Sequence, residues 1–156
     1  MYLWLKWIHI LPSTLLFGTG LGIALFMWMA HRSRDPAHIA RTARVVVLAD
    51  AFSTAPAVVI QLVTGIWLVQ LLGYPWSSFW IAAALMLFFV TGACWLPVVW
   101  LQLRAKRLAE QAVASNSPLP AEYHRVMRTW FLLGWPAFIS VIAIFWLMVM
   151  KPAGVG

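Results

Sequence analysis

The sequence predicts an all-α membrane protein: a four-helix transmembrane bundle with N and C termini outside and two basic cytoplasmic loops. Three observations lead there. Of the 156 residues 63% are hydrophobic and only 10% are charged, with a mean hydropathy of +0.87. Soluble domains carry about 25% charged residues, so this chain has too few polar side chains to coat a water-soluble fold. Four apolar stretches each reach the roughly 20 residues that a helix needs to cross the hydrocarbon core. Nearly all the charges lie between or at the ends of those stretches.

The first stretch, 2–30, reads YLWLKWIHILPSTLLFGTGLGIALFMWMA and carries a single imidazole, His9. An imidazole turned to lipid loses its water and gains no partner, which is costly. His9 therefore faces protein or binds something. By helical spacing Ser13 and Gly20 share its face. Gly18 and Gly22 stand four apart, a spacing that lets a second helix approach closely, either in a homo-oligomer or in a membrane partner.

The second stretch, 45–72, places Asp50, Thr54, Ala57, Gln61 and Thr64 on one stripe. Polar groups inside a span face the bundle or a wet cavity. The third stretch covers 78–106 and contains Met86, Gln102 and the lone cysteine, Cys94. One cysteine forms no intrachain disulfide, and no zinc-ligand spacing accompanies it. The fourth stretch, 121–150, brings Arg128 to the depth of Asp50. The spacing predicts that these two approach each other or share a water, since arginine holds a carboxylate through two hydrogen bonds. Gln102 comes out nearer the cytoplasm. Each stretch also has an interior proline (Pro12, Pro56, Pro97 and Pro136), which reads first as the ordinary tolerance of membrane helices for proline and, more sharply, as four kinks that open a cavity between the helices.

The connections set the orientation. HRSRDPAHIARTAR holds Arg32, Arg34, Arg41 and Arg44, and RAKRLAEQAVASNSPLPAEYHR holds Arg104, Lys106, Arg107 and Arg125, whereas GYPWSS has no charge. The positive-inside rule places both basic segments in the cytoplasm. The expected location is the bacterial inner membrane, crossed several times. The net charge of +7 gathers at helix ends, where lipid headgroups are its partner and nucleic acid is not.

The motifs HILPSTLLFGTGLG, VVLADAFSTAPAVVIQLVTG, GACWLPVVWLQ and LGWPAFISVIAIFWLMVMKP resemble the bacterial integral-membrane family catalogued as domain of unknown function 2269, over essentially the whole chain. That resemblance implies a small membrane protein and no particular activity. The opening YLWLKWIHI is similar to the start of the membrane protoporphyrinogen oxidase family, which implies a b-type haem with His9 at the position of its first-helix ligand. The lysine which that family has near the start of its third helix is not matched in SSFWIAAALMLFF. Similar histidine-first helices occur in the copper-resistance membrane protein family.

The functional expectation is a redox module holding haem b through His9 near the periplasmic side, with the Met86 thioether at the same level as a candidate second ligand. The alternatives are an accessory or assembly subunit of a membrane complex, or a permeation protein for a small solute or protons that uses Asp50, Gln61 and Arg128. No nucleophile–base pair, phosphate loop or pair of catalytic carboxylates is present in the sequence, which disfavours hydrolytic chemistry.

Overall fold

The computed structural model describes residues 1–152. Its helices are α1 (Tyr2–Ser33), α2 (Pro36–Ala49), α3 (Ala55–Leu72), α4 (Phe79–Ala114) and α5 (Ala121–Met150), and a five-residue π-turn, Asp50–Thr54, joins α2 to α3. The long rod 36–72, together with α1, α4 and α5, makes four helices long and apolar enough to cross a membrane.

The helices outrun the predicted stretches at the basic end. The segment 31–44, expected as a connection, is helical apart from Arg34 and Asp35. Arg34 closes α1 in the left-handed conformation at φ 56°, and its N–H reaches the His31 carbonyl. Asp35 then opens α2. Its carboxylate accepts the Ala37 and His38 amides at 2.9 and 3.2 Å, and Pro36 takes the first helical position, where no amide is needed. Likewise α4 runs on to Ala114 before Asn116, at φ 48°, turns the chain. At the other end Gly73, at φ 65°, closes α3. The bonds from the Gly73 and Tyr74 amides to the Gln70 and Val69 carbonyls form the paired closure that a left-handed glycine permits.

Tryptophan and arginine mark how the bundle sits in lipid. Trp7 and Trp28 are about 31 Å apart along α1, and Trp80 and Arg104 about 36 Å apart along α4, taking 1.5 Å per residue. Arg44 to Trp67 and Arg128 to Trp146 span about 34 and 27 Å by the same rise. These distances bracket the roughly 30 Å hydrocarbon core, with tilt accommodating the longer ones. What lies past Trp28, Arg44, Arg104 and Arg128 is a helical cap at the basic end.

Most of the buried core belongs to that cap or to its border. Met27, Ala30, Ile39, Ala105, Ala109 and Tyr123 are almost wholly enclosed, with Ala43, Leu108, Val126 and Trp130 around them. Water surrounds this region, so burying a large apolar side chain there contributes about 1.5–3 kcal/mol. Within the bilayer the same burial exchanges lipid for protein and gains little by transfer. There, packing and interhelical hydrogen bonds hold the helices together. Accordingly, large apolar side chains such as Leu15, Phe26, Val59, Phe89, Leu132 and Ile139 are exposed on the spans.

The helix partners change along the rod. Before the π-turn, α2 packs on α4; beyond it, α3 packs on α1 and makes no sustained contact with α4 or α5. Pro56 accounts for the turn. Proline offers no N–H and crowds the preceding carbonyls, so the helix slips to a wider register in which the Ala55 amide bonds the Asp50 carbonyl. Only Pro12, Pro97 and Pro136 lie inside continuous α-helix. Past the π-turn the rod leaves α4, since α2 packs on α4 and α3 keeps no sustained contact with it. Two shallow hollows lie at the basic end, one beside Arg34 and His124 and one beside Arg44 and Glu110.

Candidate functional site

Along α1, Leu5, His9, Pro12, Leu16 and Thr19 form the stripe that helical spacing directs at one neighbour. That neighbour is α3. Near the terminal end His9 enters a cradle made by Gln61, Thr64 and Gly65. Its Nδ1 lies 2.9 Å from Thr64 Oγ1, and its Nε2 lies 3.0 Å from Gln61 Nε2.

The hydrogen-bond pattern assigns the proton. Thr64 Oγ1 already donates to the Ile60 carbonyl at 2.6 Å, so towards His9 it can only accept. His9 Nδ1 therefore carries the hydrogen and Nε2 presents a lone pair to the Gln61 amide. The ring is a neutral imidazole with both nitrogens engaged. Gln61 is held less firmly, because its Oε1 is buried without a partner. Gly65 supplies the floor. A Cβ there would stand 3.1 Å from His9 Cε1, closer than a side chain sits comfortably, so the imidazole lies against bare backbone.

A second polar contact, nearer mid-bilayer, joins α1 to the π-turn, where Thr19 Oγ1 and Ser53 Oγ are 3.1 Å apart. Ser13 takes no part in either contact: its hydroxyl donates to the Ile10 carbonyl of its own helix at 2.6 Å.

The other predicted residues fall elsewhere. Asp50 is 5% exposed, and its one side-chain contact is Trp95 Nε1, which donates to Oδ1 at 3.5 Å. The predicted Asp50–Arg128 pair does not form. Arg128 is exposed at the edge of the bilayer, and the ion pairs among the described residues are Arg44–Glu110 and Arg104–Glu122. Equal depth did not bring Asp50 and Arg128 together, because α2 meets α4 here and does not pack on α5. Thr54 and Gln102 are buried, each with an unpartnered side-chain oxygen. Asp50 meets Trp95, Gln61 meets His9 and Arg128 is exposed, so no hydrogen bond or ion pair links the three among the described residues.

Met86 is also misplaced by the depth argument. It is 62% exposed on α4, a helix that α3 does not touch there, so it does not approach His9. His31, His38 and His124 all sit at the basic end, where His124 packs edge-on against both His31 and Tyr123. Gly18 and Gly20 lie on the outside of α1, with nothing within 4 Å of where a Cβ would project, and Gly22 meets only Phe26 of its own helix. Cys94 is half-buried and free.

Sequence reasoning missed the donor role of Trp95, the Thr19–Ser53 contact and the function of Gly65 as a floor. Gly65 alone carried a legible signal, as a glycine directly following the last residue of a polar stripe and level with His9. No curated protein and no solved structure matches the chain. Residues 3–152 match the family described as predicted integral membrane protein, domain of unknown function 2269, and the chain belongs to that family.

Proposed function

We propose that the protein is a redox module of the bacterial inner membrane that holds a b-type haem through His9 Nε2. The positive-inside rule puts the basic cap in the cytoplasm, and with it His9 at the periplasmic edge of the bilayer. The observation that carries the reading is the tautomer. A metal-binding imidazole characteristically donates its other ring N–H to a fixed acceptor, which sets its orientation and raises its basicity. His9 Nδ1 and Thr64 Oγ1 have that relationship at 2.9 Å. The Nε2 lone pair is covered by a single side-chain amide, and that amide is tethered at one end only. His9 would hold the group through Nε2 once the single Gln61 hydrogen bond there is given up. The group would supply one-electron chemistry, and the chain would supply orientation through Thr64 and Gly65.

Purified from haem-supplied cells, the wild-type protein is expected to show a Soret band at about one haem per chain. His9→Ala loses the band. Gln61→Ala keeps it, and Thr64→Val lowers occupancy. A colourless wild-type protein, folded and well expressed, ends this reading.

One observation favours a second reading, an accessory or assembly subunit. The Gly18–Gly22 face of α1 is used by no other helix of the chain, and such a face admits a close helix from a partner or a second copy. In that case the His9 cradle is a structural pin. Gly18→Leu then abolishes co-purification with a partner or chemical crosslinking to a second copy, and it leaves α1 and α3 paired.

A further inference from the structure

The pairing predicted for Asp50 leaves a question when it fails: what balances a carboxylate in the inner half of the bilayer? We propose that the π-turn Asp50–Thr54 binds a monovalent alkali cation of the sodium class, with Asp50 Oδ2 and Thr54 Oγ1 as side-chain ligands. Asp50 and Thr54 are one slow turn apart on the same face, 5% and 7% exposed, and both Oδ2 and Oγ1 are buried without a partner.

Charge and hardness select the ion. A carboxylate in hydrocarbon is costly unless a countercharge joins it. No lysine, arginine or histidine lies within ion-pair distance of Asp50 among the described residues. Trp95 is a neutral donor at the long distance of 3.5 Å and takes only Oδ1. The atoms left over, a carboxylate and a hydroxyl oxygen, suit a hard cation better than a transition metal. A single carboxylate offers one negative charge, which matches a monovalent ion and undercompensates a divalent one. Pro56 offers no N–H to the preceding turn, so the carbonyl oxygens of the π-turn beside these side chains have one helical donor fewer. This inference rests on Asp50 and its surroundings and does not depend on what His9 binds.

The test is thermal unfolding of the full chain in detergent, in sodium, potassium or choline chloride at equal ionic strength. A site saturated in sodium or potassium raises the midpoint by roughly 5 °C over choline, in a saturable manner. Asp50→Asn removes the dependence on the cation and, freed of an unbalanced charge, unfolds later in choline than wild type does. Thr54→Val keeps the carboxylate and shifts the half-saturating concentration up by about tenfold, the loss of one ligand bond. Should Asp50→Asn fail to fold, the Thr54→Val titration and sodium-23 relaxation on the wild-type protein decide the matter. Identical midpoints in sodium, potassium and choline overturn the proposal. So does an alkali-cation effect that survives in Asp50→Asn.

Discussion

His9 and Thr64 meet across α1 and α3 with Nδ1 and Oγ1 2.9 Å apart, and the threonine hydroxyl is already spent on the Ile60 carbonyl. The contact therefore has a direction: the ring donates and the hydroxyl accepts. Thr64→Val keeps the shape and removes the acceptor, leaving a polar N–H enclosed at a cost of about 1–3 kcal/mol. Thr64→Ser restores the oxygen and recovers most of that loss. Unfolding of the three proteins in detergent checks the order, and a valine variant as stable as wild type would show that the imidazole is not anchored there.

Gly65 makes the contact possible by having no side chain. A methyl group at 65 would come within 3.1 Å of His9 Cε1, so Gly65→Ala forces the ring off its floor or the helices apart. The expected cost is about 1 kcal/mol or more, in the range of overpacking. It arises from one neighbour, so it should vanish when that neighbour is absent. In a His9→Ala background the same substitution is neutral or stabilising, because alanine has the higher helix propensity. A double-mutant cycle measures the coupling, and additive effects would place the ring elsewhere.

The number of spans and their approximate bounds were legible in the sequence because hydrocarbon thickness and lipid polarity impose them on any chain. Which polar residues meet was less legible. Thr64 and Gly65 came out at the level of His9, with Gln61 on the same stripe as Thr64, yet depth alone also matched Asp50 with Arg128 and His9 with Met86. Depth along a helix says nothing of azimuth or of which helix is next door, and the π-turn changes the neighbour of the 36–72 rod at mid-bilayer. The cap was hidden for a different reason. Segments such as HIARTARVV and AKRLAEQAV are too charged to register as spans, and their apolar positions show only at helical spacing. The Asp35–Pro36 pair did announce a helix start, but reading the basic segment as a connection set that signal aside.

The division between cap and spans predicts where stability resides. Leu108 is 7% exposed in the water-surrounded cap, and Leu108→Ala is expected to cost about 2–4 kcal/mol through lost transfer energy and a cavity. Leu132 is 62% exposed on the lipid-facing side of α5, and truncating it merely trades protein methyls for detergent or lipid. Leu132→Ala should stay within about 0.5 kcal/mol of wild type. Equal losses in both variants would mean that the cap is not the principal core.

The cap also carries the two ion pairs of the described chain, Arg44–Glu110 at 3.0 Å and Arg104–Glu122 at 2.6 Å. Their side chains are 35–64% exposed, so water and salt screen the attraction. Pairs of this kind contribute about 0–1 kcal/mol, well below the burial of a single leucine. Both glutamates lie beside helices whose buried faces are alanine-rich, where Ala105 and Ala109 admit no extra volume. Packing should therefore outweigh charge at this end. Glu122→Gln is expected to lower stability by less than about 1 kcal/mol, whereas Ala109→Leu, which forces two helices apart, costs about 1–3 kcal/mol. Added salt should leave wild type and Ala109→Leu equally displaced, because neither the burial nor the steric conflict is electrostatic. A large salt-sensitive loss in Glu122→Gln would reverse the ranking and make the cap an electrostatic clasp.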